Sequence, residues 1–325
     1  MINKDYLYTT VWDDLSTVIL ERNSLYLYAH DPEERSRYCA SVLQTNNSDS
    51  IFLELSLNDQ DQATLIDTGE SFSLSSKNAV TGFVRRYNPT IVYLEVTGMS
   101  CRLIAPILRY AIEEEICIKV VYSEPKQYRL PEFKNVGLNK DLSETVDGIN
   151  PLPGFVTLVH SRTEPLFVVL LGFEGGRFNY LLSNKQPSYE KIHPVVGVPG
   201  YRIDYPYETY WGNRYSLEMT KAWEHVTYAE ANSIVDSYLT LGRISFRNRN
   251  PNMIVAPIGT KPHAIGAILY AIKNPTKVEL LYDNPSVVFI VQMELGKSWF
   301  VTFLNFIAKI KYEGNRFLLY SCVFS

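Results

Sequence analysis

Two stretches of the chain carry the same order of apolar and polar positions. Residues 91–96 are almost wholly apolar and run through Thr97, Gly98, Met99, Ser100, Cys101 and Arg102 into a second apolar stretch, 103–108. Residues 253–258 run through Gly259, Thr260, Lys261, Pro262 and His263 into 264–269. Gly98 aligns with Gly259, Ile104 with Ile265, and Ile107-Leu108 with Ile268-Leu269. Each segment then reaches another apolar run with a common ending, Val120-Val121-Tyr122-Ser123-Glu124-Pro125 in one and Leu280-Leu281-Tyr282-Asp283-Asn284-Pro285 in the other. A short continuous apolar run rich in β-branched residues suits a strand buried on both faces of a parallel sheet. Leu103, Ile104, Ile107, Leu108 and Ala111 follow i, i+3, i+4 spacing, the mark of one helical face. Each segment is therefore predicted as strand, turn, helix, strand, with a right-handed crossover. Pro262 suits a first helical turn, whereas Pro106 lies deeper and predicts a kink or a later helix start.

The repetition extends upstream. Residues 24–29 and 166–171 read as strands, each followed by Glu-x-x-Arg at a helix opening, Glu34/Arg37 and Glu174/Arg177. Second strands are expected at 50–57 and 194–198, and connecting helices at 77–87 and 228–241. The fold class is α/β: two tandem Rossmann-like, doubly wound lobes related by internal duplication, with C-terminal edge strands. The first lobe spans 1–130, a linker spans 131–153, and the second lobe spans 154–325 with an aromatic insertion and the terminal strands. The linker is placed where Gly, Pro and polar residues replace the periodic pattern. The tail from 287 onward is expected to hold strands and a hairpin through Glu313-Gly314-Asn315.

Composition narrows the function. The 325 residues are 46% hydrophobic and 20% charged, so the chain can bury real cores. A net charge of −4 is poor for a generic polyanion binder, so nucleic acid is expected only through a partner. Four cysteines without a CxxC pair argue against a zinc knuckle or a disulfide scaffold, and no metal or cofactor is expected. The polar, acidic start is unlike a secretory signal, and no apolar run reaches membrane-spanning length. A cytoplasmic protein without membrane contact is the expectation.

Ligands of open parallel sheets bind beyond the carboxyl ends of the strands. Four segments fall there: 29–37, 97–102, 172–177 and 259–263. Gly259, Thr260, Lys261 and His263 offer close backbone approach, a hydroxyl, a point charge and a helix N-terminus, the parts of a phosphate or nucleotide cradle without P-loop spacing. Gly98, Ser100 and Arg102 offer a similar set in the first lobe. At i, i+3 spacing Glu174 pairs with Arg177 and Glu34 with Arg37, either as structural ion pairs or with the arginines gripping an anion. Residues 199–214, proline-bounded and aromatic-rich, have no counterpart in the first half and read as a loop covering a site, with Asn213 and Arg214 as polar contacts. His30 falls at the end of the first strand and His263 at the start of the cradle helix, so both could face one cleft, while His160, His193 and His225 lack metal-ligand spacing. Cys101 reads as a buried small hydrophobe, and residues 242–249 as a solvated basic loop.

A strand, Gly-Thr-Lys-Pro, an apolar helix and a strand ending in Tyr-Asp resemble the CRISPR-associated Rossmann fold family, closely over 253–284 and loosely over 91–124. That resemblance implies a sensor of cyclic oligoadenylates or related nucleotides contacted by the Gly-Thr-Lys turn, and a setting in bacterial antiviral defence. The first copy departs from the pattern, with Thr97-Gly98-Met99-Ser100 at the turn, which puts symmetric binding in doubt. Three functions remain open. One is a sensor or regulatory subunit for a nucleotide or phosphorylated small molecule. Another is an enzyme on a nucleotide phosphoester or N-glycosidic bond, its catalytic residues unknown but Glu174 the best candidate base. The third is a docking subunit with a protein partner or a homo-oligomer, favoured by 23 tyrosines.

Overall fold

The structure, a computed structural model, describes residues 9–12, 14–29, 34–58, 60–124, 143–146, 148–155, 163–283, 285–287, 301–306, 309–313 and 316–320. The first half runs β1 (Thr9–Trp12), β2 (Leu25–Ala29), α1 (Glu34–Asn46), β3 (Ile51–Leu57), β4 (Gln62–Leu65), β5 (Ser71–Ser73), α2 (Lys77–Arg86), β6 (Val92–Glu95), α3 (Cys101–Glu113) and β7 (Ile118–Ser123). The second runs β8 (Ser143–Val146), β9 (Asn150–Pro151), β10 (Leu166–Leu170), α4 (Gly175–Lys185), β11 (Ile192–Gly197), α5 (Tyr205–Thr220), β12 (Thr227–Ala229), α6 (Ile234–Arg247), β13 (Met253–Pro257), α7 (Lys261–Lys273), β14 (Val278–Tyr282) and β15 (Pro285–Val287). The tail adds β16 (Val301–Phe306), β17 (Lys309–Glu313) and β18 (Arg316–Tyr320).

The chain forms two α/β units, residues 1–129 with 290–325 and residues 130–289. In the first, an eight-stranded sheet runs β1-β16-β7-β6-β2-β3-β4-β5, with β7, β6, β2 and β3 parallel. In the second, a six-stranded sheet runs β12-β11-β10-β13-β14-β9, parallel except for β9. The parallel strands of the second unit thus follow the order 3-2-1-4-5, with the topological switch between β10 and β13. All five residues of β10 are buried, because helices cover both faces of its sheet. One face of β10 packs Phe167 and Val169 with Phe178 and Leu181 of α4 and Leu217 of α5. α6 and α7 pack on one another, with Gly266 admitting Ser237 and the carbonyl of Ile234. In the first unit Tyr26, Tyr93 and Val121 pack against Cys39, Ala40 and Leu43 of α1. α3 continues through Pro106, so its start is not delayed. No helix among the described residues is long and apolar enough to cross a membrane.

Four expectations need correction. The terminal strands do not belong to the second lobe: β16 pairs antiparallel with β7 from Val301↔Ser123 to Phe306↔Ile118 and lies between β7 and β1, inside the first unit's sheet. Sequence order cannot reveal this, since a strand joins whichever sheet leaves a ladder open. The expected 131–153 linker contains β8, which pairs with β15, and β9, which pairs with β14. The aromatic insertion is α5 over most of its length, with Pro206 in the first turn where proline costs no hydrogen bond. The connecting helix begins at Ile234, because Ser233 caps it and Tyr228 lies in β12. The β17–β18 hairpin forms as expected, its turn outside the described residues.

Candidate functional site

In the second unit, β10 and β13 end side by side and lead into α4 and α7. Their two loops touch backbone to backbone. A Cβ on Gly172 would stand 2.8 Å from the carbonyl oxygen of Ile258, and one on Gly259 would stand 2.6 Å from that of Leu171. Both glycines are therefore explained by the crossing of the loops, without a ligand.

Thr260 is also engaged from within. Its Oγ1 accepts from the backbone N–H of His263 at 3.3 Å, capping α7, and donates to the carbonyl of Ala231 at 2.7 Å. Lys261 opens the helix half-buried, and Pro262 brings no donor. His263 is fully buried, with Nε2 3.0 Å from the carbonyl oxygen of Glu230 and its ring against Gly197 at the end of β11. A carbonyl at Nε2 requires the proton there, leaving Nδ1 as an acceptor, which has no hydrogen-bond partner among the described residues. Burial holds the imidazole pKa below its ordinary value, so the ring is neutral near pH 7.

The densest polar cluster lies at the α4 opening. Arg177 and Glu174 pair at 3.2 Å, as their spacing predicts. The guanidinium is also gripped from the other side by Asp283, just beyond β14: Nε donates to Oδ2 at 2.7 Å and Nη2 to Oδ1 at 2.5 Å. A further bond from Nη1 reaches the carbonyl of Ile258 at 3.1 Å. Asp283 is fully buried, and its charge-assisted bonds outweigh the desolvation of Arg177, whose pKa rises above normal. The guanidinium is thus held between the carboxyl groups of Glu174 and Asp283. Glu174 Oε1 is buried with no hydrogen-bond partner among the described residues.

Asn213 of α5 joins this edge. Its Nδ2 donates to the carbonyls of Gly172 and Thr209, both at 2.8 Å, while Oδ1 is buried without a partner among the described residues. It arrives there because α4 and α5 cross at Gly175 and Gly212, where a Cβ on either would collide with the opposing backbone. Glu174, Asn213 and His263 thus present acceptor atoms, and Arg177 beside them is committed to carboxylates.

The first unit differs. Ser100 precedes α3 at its N-cap without a side-chain cap bond. Arg102 meets Asp61 at 2.7 Å, and Arg37 lies 3.7 Å from Glu54 with an exposed side chain. Gly98 lies in the turn after β6, where the Thr97 hydroxyl accepts from the N–H of Ser123. Arg37, Gly98, Ser100 and Arg102 form no single cluster among the described contacts. His30 and His160 lie outside the described residues, as does the side chain of Glu34. Among the described residues no group of three or more His, Cys, Asp or Glu could hold a metal ion.

Sequence reasoning missed Asp283 as the partner of Arg177 and Asp61 as the partner of Arg102. For Asp283 a signal existed: a lone acid directly after an apolar strand sits at the carboxyl edge, where an arginine on the preceding crossover helices can reach it.

No family model matches the chain, and no curated protein does. Among solved structures, the crystal structure of a periplasmic ribose ABC transporter from Conexibacter woesei DSM 14684 is similar over 78% of this chain and 69% of that one, at 11% identity and a TM-score of 0.23. The site is therefore read from its own side chains.

Proposed function

We propose that the second unit binds a small neutral or cationic ligand rich in hydrogen-bond donors, such as a polyol, sugar or amine, at the carboxyl edge of its parallel sheet. The observation that carries this is Glu174: a buried carboxylate with one oxygen on Arg177 and the other without a partner among the described residues, at the topological switch point. A buried acceptor left bare costs about 1–3 kcal/mol, more for a charged group, and a ligand hydroxyl or ammonium removes that cost. Asn213 Oδ1 and His263 Nδ1 extend the same preference. An anion placed on Arg177 would instead have to displace Asp283.

The narrower version is a nucleotide, with ribose hydroxyls and base amines toward Glu174 and Asn213 and phosphates toward Lys261 at the α7 N-terminus. The position of that helix start at the end of β13 favours it, and a defence sensor role rests on the resemblance of residues 253–284 alone.

Thermal shifts with free sugars, amines, nucleosides and nucleotides test both versions. A shift from a donor-bearing compound that is lost in Glu174→Gln supports the reading. A nucleotide shift exceeding its nucleoside's, with the excess lost in Lys261→Ala, supports the narrower one. No shift from any class, or a shift unchanged in Glu174→Gln, refutes the proposal.

A further inference from the structure

α5 is built inside out. Its buried residues are Tyr205, Thr209, Asn213, Ser216, Leu217 and Thr220, mostly polar. Tyr207 and Trp211 are instead 75% and 52% exposed, and Trp223, in the short turn Ala222–His225 after the helix, is 57% exposed. Surface helices ordinarily turn their rings inward, so rings held outward call for a reason. These three line one cavity of about 810 Å³ with Tyr210, whose hydroxyl is hydrogen-bonded to that of Tyr228 at 2.8 Å. A ring-lined cavity of that size with a few charged groups at its border is the usual form of a small-molecule site. Trp211 lies about 160° round the helix from Asn213, at 3.6 residues per turn, so this cavity and the sheet edge are on opposite faces of α5.

Ring chemistry and charge select the ligand. Glu208 and Glu218 line the cavity together with Arg214. Arg214 pairs with neither carboxylate among the described residues. Its guanidinium lies 4.1 Å from the Trp211 ring centroid, and its Nη1 donates to the Trp211 carbonyl at 2.6 Å. Trp211 thus already carries a cation on its ring, as the negative face of an indole favours. Rows of rings also suit stacked bases, but two carboxylates repel a phosphate backbone. A quaternary ammonium meets both features: its charge is drawn to ring faces and carboxylates, and its alkyl groups need no hydrogen-bond acceptor.

We propose that the cavity on the outer face of α5 binds a small, free organic cation of the quaternary-ammonium class, through the rings of Tyr207, Trp211 and Trp223 and the carboxylates of Glu208 and Glu218. Such a cation has no N–H to offer Glu174, Asn213 or His263, so the proposal is independent of the ligand at the sheet edge.

Calorimetric titration of the full chain with acetylcholine and with its neutral isostere 3,3-dimethylbutyl acetate tests it. The two probes share a shape, carry no hydrogen-bond donor and differ in charge. Acetylcholine is expected to bind about tenfold more tightly than the isostere. Trp211→Leu keeps an exposed position apolar but removes the ring, and should abolish that preference, with circular dichroism confirming the fold. Glu218→Gln, also at an exposed position, should weaken acetylcholine by about threefold. Glu174→Gln should change nothing. No binding of either probe, or equal affinity for both, overturns the proposal and leaves the sheet-edge reading untouched. A preference that survives Trp211→Leu, or is lost in Glu174→Gln, also overturns it. So does retention on phosphatidylcholine vesicles without binding of the free cation, which would assign the rings to a lipid surface.

Discussion

At the end of β6, Ser100 stands at the start of α3 with a buried hydroxyl that makes no hydrogen bond among the described residues, and Arg102 reaches a partly exposed Asp61. At the end of β13, Thr260 caps α7 and also ties it to Ala231, while the neighbouring strand ends enclose Arg177 between two carboxylates. The backbone path of strand, turn and helix is common to both units. Both strand ends bury a carboxylate, for Glu95 at the end of β6 is fully buried and accepts from the N–H of Thr97; what separates the units is the buried arginine that Glu174 and Asp283 share in the second. A repeated frame fixes where a site can be, and the side chains at the strand ends decide which copy has one.

The largest test of this contrast removes each arginine's partner. Asp283→Ala removes the two shortest bonds to a buried guanidinium, leaving it only Glu174 and the Ile258 carbonyl, and should cost about 3–5 kcal/mol in urea unfolding. Asp61→Ala in the first unit removes a partly exposed pair and should cost less than about 1 kcal/mol. Equal effects would break the comparison.

Glycine replacements give the next effect. Gly259→Ala drives a methyl against the Leu171 carbonyl and should destabilise by about 1–3 kcal/mol. Gly82→Ala in α2, where nothing lies within 4 Å, should stabilise by about 0.5–1 kcal/mol through helix propensity. Thermal unfolding of both variants checks the opposite signs.

The caps differ by less. Thr260→Ala loses a capping bond and should cost about 1–2 kcal/mol, whereas Ser100→Ala should stay within about 0.5 kcal/mol.

The last effect is in pH. Burial lowers the His263 pKa; burial and the neighbouring His225 lower that of His193, to about 4 from 6.5. Because both values are depressed in the folded state, the unfolded chain takes up protons first. Their contribution to stability is complete above about pH 6.5 and declines as pH falls toward 4. Denaturant midpoints at pH 7.5 and pH 5 should differ in that direction, and by less in His263→Gln.

Much of the fold was legible because local pattern and topology agree. The buried runs of β6, β10 and β13 and the spacing in α3 report parallel strands and crossover helices directly. α5 was read as a covering loop because its aromatic face points outward, so the usual apolar-inside pattern fails there. β16 was assigned to the wrong unit because sheet membership depends on a ladder formed with β7, far away in sequence. The Glu174–Arg177 pair was legible from i, i+3 spacing. Asp283 was not recognised as its partner, since more than a hundred residues separate it from Arg177 and only the β10–β13–β14 order brings them together.

The central claim is that buried acceptors at the second unit's sheet edge hold a donor-bearing ligand. Calorimetric titration of the ligand giving the largest thermal shift, into wild type, Glu174→Gln and Arg102→Ala, tests it most directly. The account predicts an affinity loss of about tenfold or more in Glu174→Gln and no change in Arg102→Ala. Unchanged affinity in Glu174→Gln, or a loss confined to Arg102→Ala, would contradict it.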